Sequence, residues 1–162
     1  MERTIRLSDR LGTIAGFIEK GAAVADIGTD HGFLPVYLAQ TGAASRIIAS
    51  DMSAGSLGAA RRSAARYGVS DKIEFIVAPG LDGVGENDAD TIVIAGVGGE
   101  TIIGILEEAP WTKTGKRLIL QPQTKKAELL AFLSDNGYTV HETAQVQDKG
   151  RNYTVLLVVC VT

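Results

Sequence analysis

The strongest constraint on the fold of this chain is an alternation along its length. Ala22–Ile27, Arg46–Ser50, Lys72–Val77, Asp90–Ala95 and Arg117–Gln121 are short, mostly apolar runs separated by helix-compatible or turn-rich stretches. Such an order predicts a mostly parallel sheet covered by helices, because parallel neighbours need a crossover between them. The pattern then changes. Tyr138–Val146 and Tyr153–Val161 follow one another with no helix between, and Asp148-Lys149-Gly150 supplies a turn. That pair predicts an antiparallel hairpin. Val155–Val161 is apolar nearly throughout, as a strand buried on both faces requires. The expected fold class is therefore α/β, a doubly wound Rossmann-like sheet with a C-terminal antiparallel β-hairpin.

The helices can be placed from the same rows. Leu7, Leu11, Ile14, Ala15 and Ile18 recur at helical spacing and predict an opening helix over 8–19. Phe33–Gln40 predicts the next. Pro35 lacks an N–H and must sit in its first turn, so Gly28–His31 is left as a loop. Ser53 is the expected N-cap of an alanine-rich helix to about residue 67. Further helices are expected after Gly96-Val97-Gly98-Gly99, running through Glu107, and at about 124–135, stopped by Asn136-Gly137.

The 162 residues suit one domain, read here as spanning 1–162. Hydrophobic residues make up 45% and charged residues 22%, which excludes a disordered or collagen-like chain. No run of eighteen apolar residues and no secretory leader is present, and Cys160 has no partner for a disulfide, so a cytoplasmic location without membrane contact is expected. With 2 His and 1 Cys, no metal-ligand spacing exists. The formal charge of −3 is the reverse of most nucleic-acid binders, so any RNA contact must use a local patch. Arg3, Arg6 and Arg10, with Lys125 and Lys126, are the candidates, though solvated surface charge reads equally well.

Doubly wound sheets bind ligands at the carboxyl ends of their strands. Four segments fall there. In Asp26-Ile27-Gly28-Thr29-Asp30-His31-Gly32, Gly28 permits a tight turn and a close ligand. Asp30 stands where a dinucleotide fingerprint has its second glycine, and a carboxylate there repels a pyrophosphate. A cationic ligand suits Asp26 and Asp30 better; both could instead only cap the turn. Asp51, 23 residues after Gly28, is placed to accept from ribose hydroxyls or to cap the next helix. Gly96-Val97-Gly98-Gly99 either clears space for a ligand or lets helix and strand pack. Gln121-Pro122-Gln123 offers amides that can read a base edge or satisfy loop backbone. His31 is a candidate acid or base, though a lone loop histidine is more often structural.

On these residues the chain resembles the bacterial tRNA adenine-N1 methyltransferases that modify adenine 22, over essentially its whole length. The resemblance rests on Leu7-Ser8 with Arg10-Leu11, Ala25–His31 with Leu34-Pro35, Gly96–Gly99, Leu118–Pro122 and the late Tyr153. It implies a class I methyltransferase sheet, S-adenosylmethionine as methyl donor and tRNA as acceptor. It further implies cofactor contacts from Asp26, Gly28, Thr29, Asp51, Met52, Gly80, Leu81 and Gly96. Substrate contacts would come from Arg10, Gln121, Pro122 and Gln123, with Asp30 and His31 lining the reaction space. One departure falls after the third strand, where the family's Gly-Asp-Gly-Leu reads Ala78-Pro79-Gly80-Leu81 and Asp82 lies three residues beyond Pro79. Family members also carry a C-terminal helical, coiled-coil-like domain, which the sequence to Thr162 is expected to lack. Other classes stay open: a methyltransferase for another RNA or a small molecule, a cofactor-binding protein without catalysis, and an oxidoreductase, which Asp30 disfavours. The oligomeric state is left open.

Overall fold

The structure is a computed structural model and describes residues 3–160. Among the described residues seven strands form one sheet in the order β3-β2-β1-β4-β5-β7-β6. They are β1 (Ala22–Ile27), β2 (Ala44–Asp51), β3 (Glu74–Val77), β4 (Thr91–Val97), β5 (Arg117–Pro122), β6 (Thr139–Asp148) and β7 (Arg151–Val159). The first five pair in parallel, and β7 runs antiparallel to both β5 and β6. Among the described residues five α-helices flank the sheet, α1 (Asp9–Gly16) before β1 and α2 (Phe33–Thr41), α3 (Ala54–Arg66), α4 (Gly99–Glu107) and α5 (Lys126–Asp135) between strands. The fold is the α/β sheet with a terminal hairpin that the alternation predicts.

The element ends follow local chemistry. Ser8 caps α1 by accepting from the Leu11 N–H, and Ser53 caps α3 by accepting from Ser56. Phe17 closes α1, so the helix expected over 8–19 is shorter at its far end. Before β3, residues Ser70–Lys72 form a single 3-10 turn, which moves the strand start from 72 to 74. Lys149 and Gly150 take φ values of 52° and 78° between the paired residues Asp148 and Arg151. That is the mirror-image two-residue turn whose twist matches paired strands. Residue 161, the expected end of the last strand, lies outside the described residues.

The core lies in two layers, one on each face of the sheet. Ile92, Ile94, Leu118, Leu120, Leu156 and Val158 point to the α4–α5 side. Val24, Ile47, Val93, Ile119, Val155 and Leu157 point to the α1–α2 side. Leu156 to Val158 are buried in sequence, as the central position of β7 between β5 and β6 demands. The chain runs outward from β1 to β3, then returns to β4 beside β1. The carboxyl ends of β1 and β4 therefore border a switch point, where such sheets leave a crevice.

Candidate functional site

A cleft of about 670 Å³ opens at that switch point. Its lining draws on the loop after β1, the ends of β2 and β4, the segment after β5, the start of α1 and the β6–β7 turn. Asp26, Asp30, Asp51 and Asp148 face two permanent cations, Arg10 and Lys149. The balance of the lining is acidic, so it favours a ligand that carries positive charge.

Asp26 is the penultimate residue of β1 and is 7% exposed. Its Oδ2 accepts from the Thr29 hydroxyl at 2.8 Å. Burial pushes its carboxyl up from 3.8 to about 6, against the opposing Thr29 hydrogen bond and Arg10 charge, while Asp51 adds to the rise. A buried carboxylate left this short of partners gains most from a cationic ligand. Thr29 is thus tied to Asp26 and is itself buried. Gly28 sits at φ 74°, a conformation costly for a residue with a Cβ, and its N–H donates to the Ser50 carbonyl.

Asp51 ends β2 and holds two backbone donors. Oδ2 accepts from the Asp30 N–H at 3.1 Å and Oδ1 from the Ser53 N–H at 3.2 Å. Each oxygen keeps a second lone pair for a hydroxyl. The capping and the ligand roles considered for Asp51 are therefore compatible. Asp30 takes φ 55°, which the short aspartate side chain tolerates, and this turns its carboxylate to the cleft mouth. His31 Nε2 lies 3.9 Å from Asp30 Oδ2, but the two side chains are 61% and 71% exposed, so the pair contributes little binding of its own. The His31 ring stacks on Phe33 with centroids 5.3 Å apart and 16° between planes. Phe33 and Met52 remain 41% and 75% exposed at the cleft. They form apolar, uncovered surface at the rim.

On the far side Arg10 anchors a chain of amides. Its Nη1 donates to Gln121 Oε1 at 2.9 Å, and its backbone N–H donates to Asp148 Oδ2 at 3.1 Å. Gln121 Nε2 in turn donates to Gln123 Oε1 at 2.8 Å and to the Pro122 carbonyl at 3.2 Å. Gln121 is fully buried. It therefore supports Gln123, which is exposed and lines the cleft. The glycine run after β4 divides its work. Gly96 lines the cleft, whereas Gly99 packs: a Cβ there would fall 2.4 Å from the Lys125 carbonyl oxygen.

Of the residues singled out in the sequence, Asp26, Gly28, Thr29, Asp30, His31, Asp51, Met52, Gly80, Gly96, Arg10 and Gln123 come together around this cleft. Leu81, Gln121 and Pro122 do not line it. Leu81 points into the core, and the last two are buried behind Gln123. Asp82 is likewise absent from the lining, and Ala78 and Gly80 are the residues that face the cleft after β3. Sequence reasoning missed Phe33, Asp148 and Lys149 as cleft residues. Phe33 carried a signal, an aromatic opening a helix directly after the loop. Asp148 carried none, because its contact with Arg10 joins residues 138 apart. Among the described residues no three His, Cys, Asp or Glu side chains gather to hold a metal, and no helix is long and apolar enough to cross a membrane.

The sequence matches the methyltransferase domain family model over residues 7–156. The chain belongs to that family. This methyltransferase domain is also 36% identical over 154 residues to the tRNA (adenine(22)-N(1))-methyltransferase of Bacillus subtilis, covering 94% of the present chain and 65% of that enzyme. The chain thus spans about two thirds of that relative's length. A Streptococcus pneumoniae protein crystallised with S-adenosyl-L-methionine superposes with a TM-score of 0.90 at 33% identity, over 96% of this chain and 73% of that one. TrmK of M. capricolum in complex with S-adenosyl-homocysteine superposes with a TM-score of 0.84 at 27% identity, over 94% and 68%. The methyltransferase domain is therefore similar in fold to proteins crystallised with S-adenosyl-L-methionine or S-adenosyl-homocysteine.

Proposed function

We propose that this chain is the S-adenosylmethionine-binding domain of a cytoplasmic tRNA methyltransferase that modifies N1 of adenine 22. The observation that carries the reading is Asp26, a buried carboxylate at the switch point of an acid-lined cleft. It suits a ligand bearing a sulfonium and an ammonium and opposes a pyrophosphate. The named activity of the B. subtilis relative supports the acceptor.

When bound, S-adenosylmethionine supplies a methyl group activated by the adjoining positive sulfur. Asp26 would neutralise the cationic end of the donor, and Asp51 would accept from ribose hydroxyls. Met52, Ala78 and Gly80 leave an apolar, uncharged wall beside that end of the cleft. Adenine N1 carries an in-plane lone pair, so it needs placement rather than deprotonation. Its position on the Watson–Crick edge requires that the base leave any pairing first. The stacked His31 and Phe33 offer an unpaired base a flat face at the rim. Asp30, beside them, would stabilise the positive charge that the methylated base acquires. Arg6, Lys125 and Lys126 are exposed, and with Lys149 in the cleft lining they are the groups available to the tRNA backbone.

Pro79, standing where the family pattern has an acid, keeps a second reading in view, a domain that binds cofactor without transferring methyl groups. One experiment separates them. Calorimetry with S-adenosylmethionine, S-adenosylhomocysteine and NAD should give binding near the micromolar range for the first two only, about −8 kcal/mol. Transfer of labelled methyl to tRNA should follow. Binding without transfer supports the second reading, and NAD binding overturns both.

A further inference from the structure

Hydrogen-bond polarity can be followed from Arg10 into the cleft without assuming the orientation of any amide. A guanidinium only donates. The group of Gln121 that meets Arg10 Nη1 is therefore its oxygen, and its NH2 must point the other way. That NH2 donates to Gln123 Oε1 at 2.8 Å, so the oxygen of Gln123 is the atom turned back toward the core. What remains to face outward is the Gln123 NH2, and its hydrogens have no partner among the described residues. The backbone of Gln123 is pinned as well, its N–H donating to the Val97 carbonyl at 2.8 Å. A half-buried cation, a buried amide and an anchored backbone thus present one donor of fixed polarity at the cleft surface.

We infer that Gln123 recognises the acceptor base as a hydrogen-bond donor, to a ring nitrogen of a purine other than the one methylated. The inference rests on the reading of the cleft as a methyltransferase site. A donor aimed at N1 would occupy the lone pair that must react, so the target is N3 or N7 of adenine. The same donor finds no acceptor in an exocyclic amine, which sets the orientation in which the base enters. Arg10 acts here as a positioning residue, through Gln121.

The test uses the full chain, a tRNA transcript and two substitutions. Gln123→Glu keeps the oxygen that accepts from Gln121 and replaces only the outward donor by an acceptor. Gln123→Ala removes both. Methyl transfer, read as kcat/KM, should fall about 10-fold for Gln123→Ala and about 100-fold for Gln123→Glu, because the carboxylate opposes the lone pair of the base. Affinity for S-adenosylhomocysteine should be unchanged in both. Transcripts carrying 3-deaza- or 7-deazaadenine at the target should show a loss of about 10-fold for one of the two with the natural sequence, and no added loss with Gln123→Ala. Wild-type transfer by Gln123→Glu, an undiminished deaza effect in Gln123→Ala, or an equal loss of cofactor affinity overturns the inference. If the natural sequence binds cofactor but transfers no methyl group to tRNA, the earlier reading fails and takes this one with it.

Discussion

Replacing Asp26 by asparagine should make the empty protein more stable while disabling it. The carboxyl is raised by burial from 3.8 to about 6, so the folded chain holds this proton more tightly than the unfolded chain does. A group shifted in that direction favours folding fully below the unfolded value, and the contribution is lost as pH rises through about 6. The gap between 3.8 and about 6, at 1.36 kcal/mol for each pH unit, comes to about 3 kcal/mol of destabilisation at pH 7.5. Asparagine carries no charge to desolvate, and its oxygen can still accept from the Thr29 hydroxyl. For a chain of this size the gain converts to about 6–12 °C in Tm. The assay is thermal unfolding of Asp26→Asn and the natural sequence at pH 4 and pH 7.5, without ligand, with S-adenosylmethionine calorimetry alongside. The Tm difference should be large at pH 7.5 and nearly vanish at pH 4, and the variant should lose cofactor binding. Equal Tm values at pH 7.5, or a difference that does not depend on pH, would show that Asp26 is not held in a desolvating site. Retained cofactor affinity would remove it from the binding machinery.

Other outcomes follow from the same geometry. Because Asp26 must ionise to meet a cation, affinity for S-adenosylmethionine should rise about tenfold per pH unit up to about 6 and level off above it, with proton release detectable by calorimetry in buffers of different ionisation heat. Asp51→Ala should weaken cofactor binding by about 10-fold or more and lower Tm as well, since the carboxylate also holds the Asp30 and Ser53 N–H groups. Gly99→Ala should cost about 1–3 kcal/mol in denaturant unfolding, because the added methyl meets the Lys125 carbonyl and must push α4 away from the β5–α5 segment. Phe33→Ala should lower methyl transfer to tRNA by about 10-fold or more with unchanged affinity for S-adenosylhomocysteine, whereas Phe33→Trp should restore it.

The sequence made the sheet legible because its signals were local. Alternating apolar runs, the Pro35 restriction, the Ser53 cap and the Lys149-Gly150 turn each act within a few residues, and all agree with the observed elements. The first loop was legible for the same reason: Asp26, Gly28 and Asp30 are neighbours in the chain. The far wall of the cleft was not. Gln121 reads identically to Gln123 in sequence, yet the strand pleat buries one and exposes the other. Leu81 follows Gly80 directly but turns into the core against the α4 side of the sheet. Asp148 reads as a turn residue, and only the folding of the hairpin against α1 brings it to the Arg10 backbone.

Arg10 joins the two halves of the cleft. Its charge lowers Asp26, which otherwise would sit still further above its ordinary range, and its donor fixes the amide of Gln121. One guanidinium thereby tunes the carboxylate read as meeting the cofactor and orients the amide read as meeting the base. The arrangement explains why a cation is tolerated in a cleft suited to a cationic ligand. A neutral residue at this position would leave Asp26 protonated over more of the pH range, and would leave the buried Gln121 oxygen without its donor. The Arg10 ring contact with Tyr153, 5.7 Å from the centroid, and the Asp148 bond to its backbone keep that cation on the hairpin side. The C-terminal hairpin is thus a structural support of the site as well as an edge of the sheet, and this gives a physical reason for a plain dinucleotide-binding sheet to be a poor substitute for it.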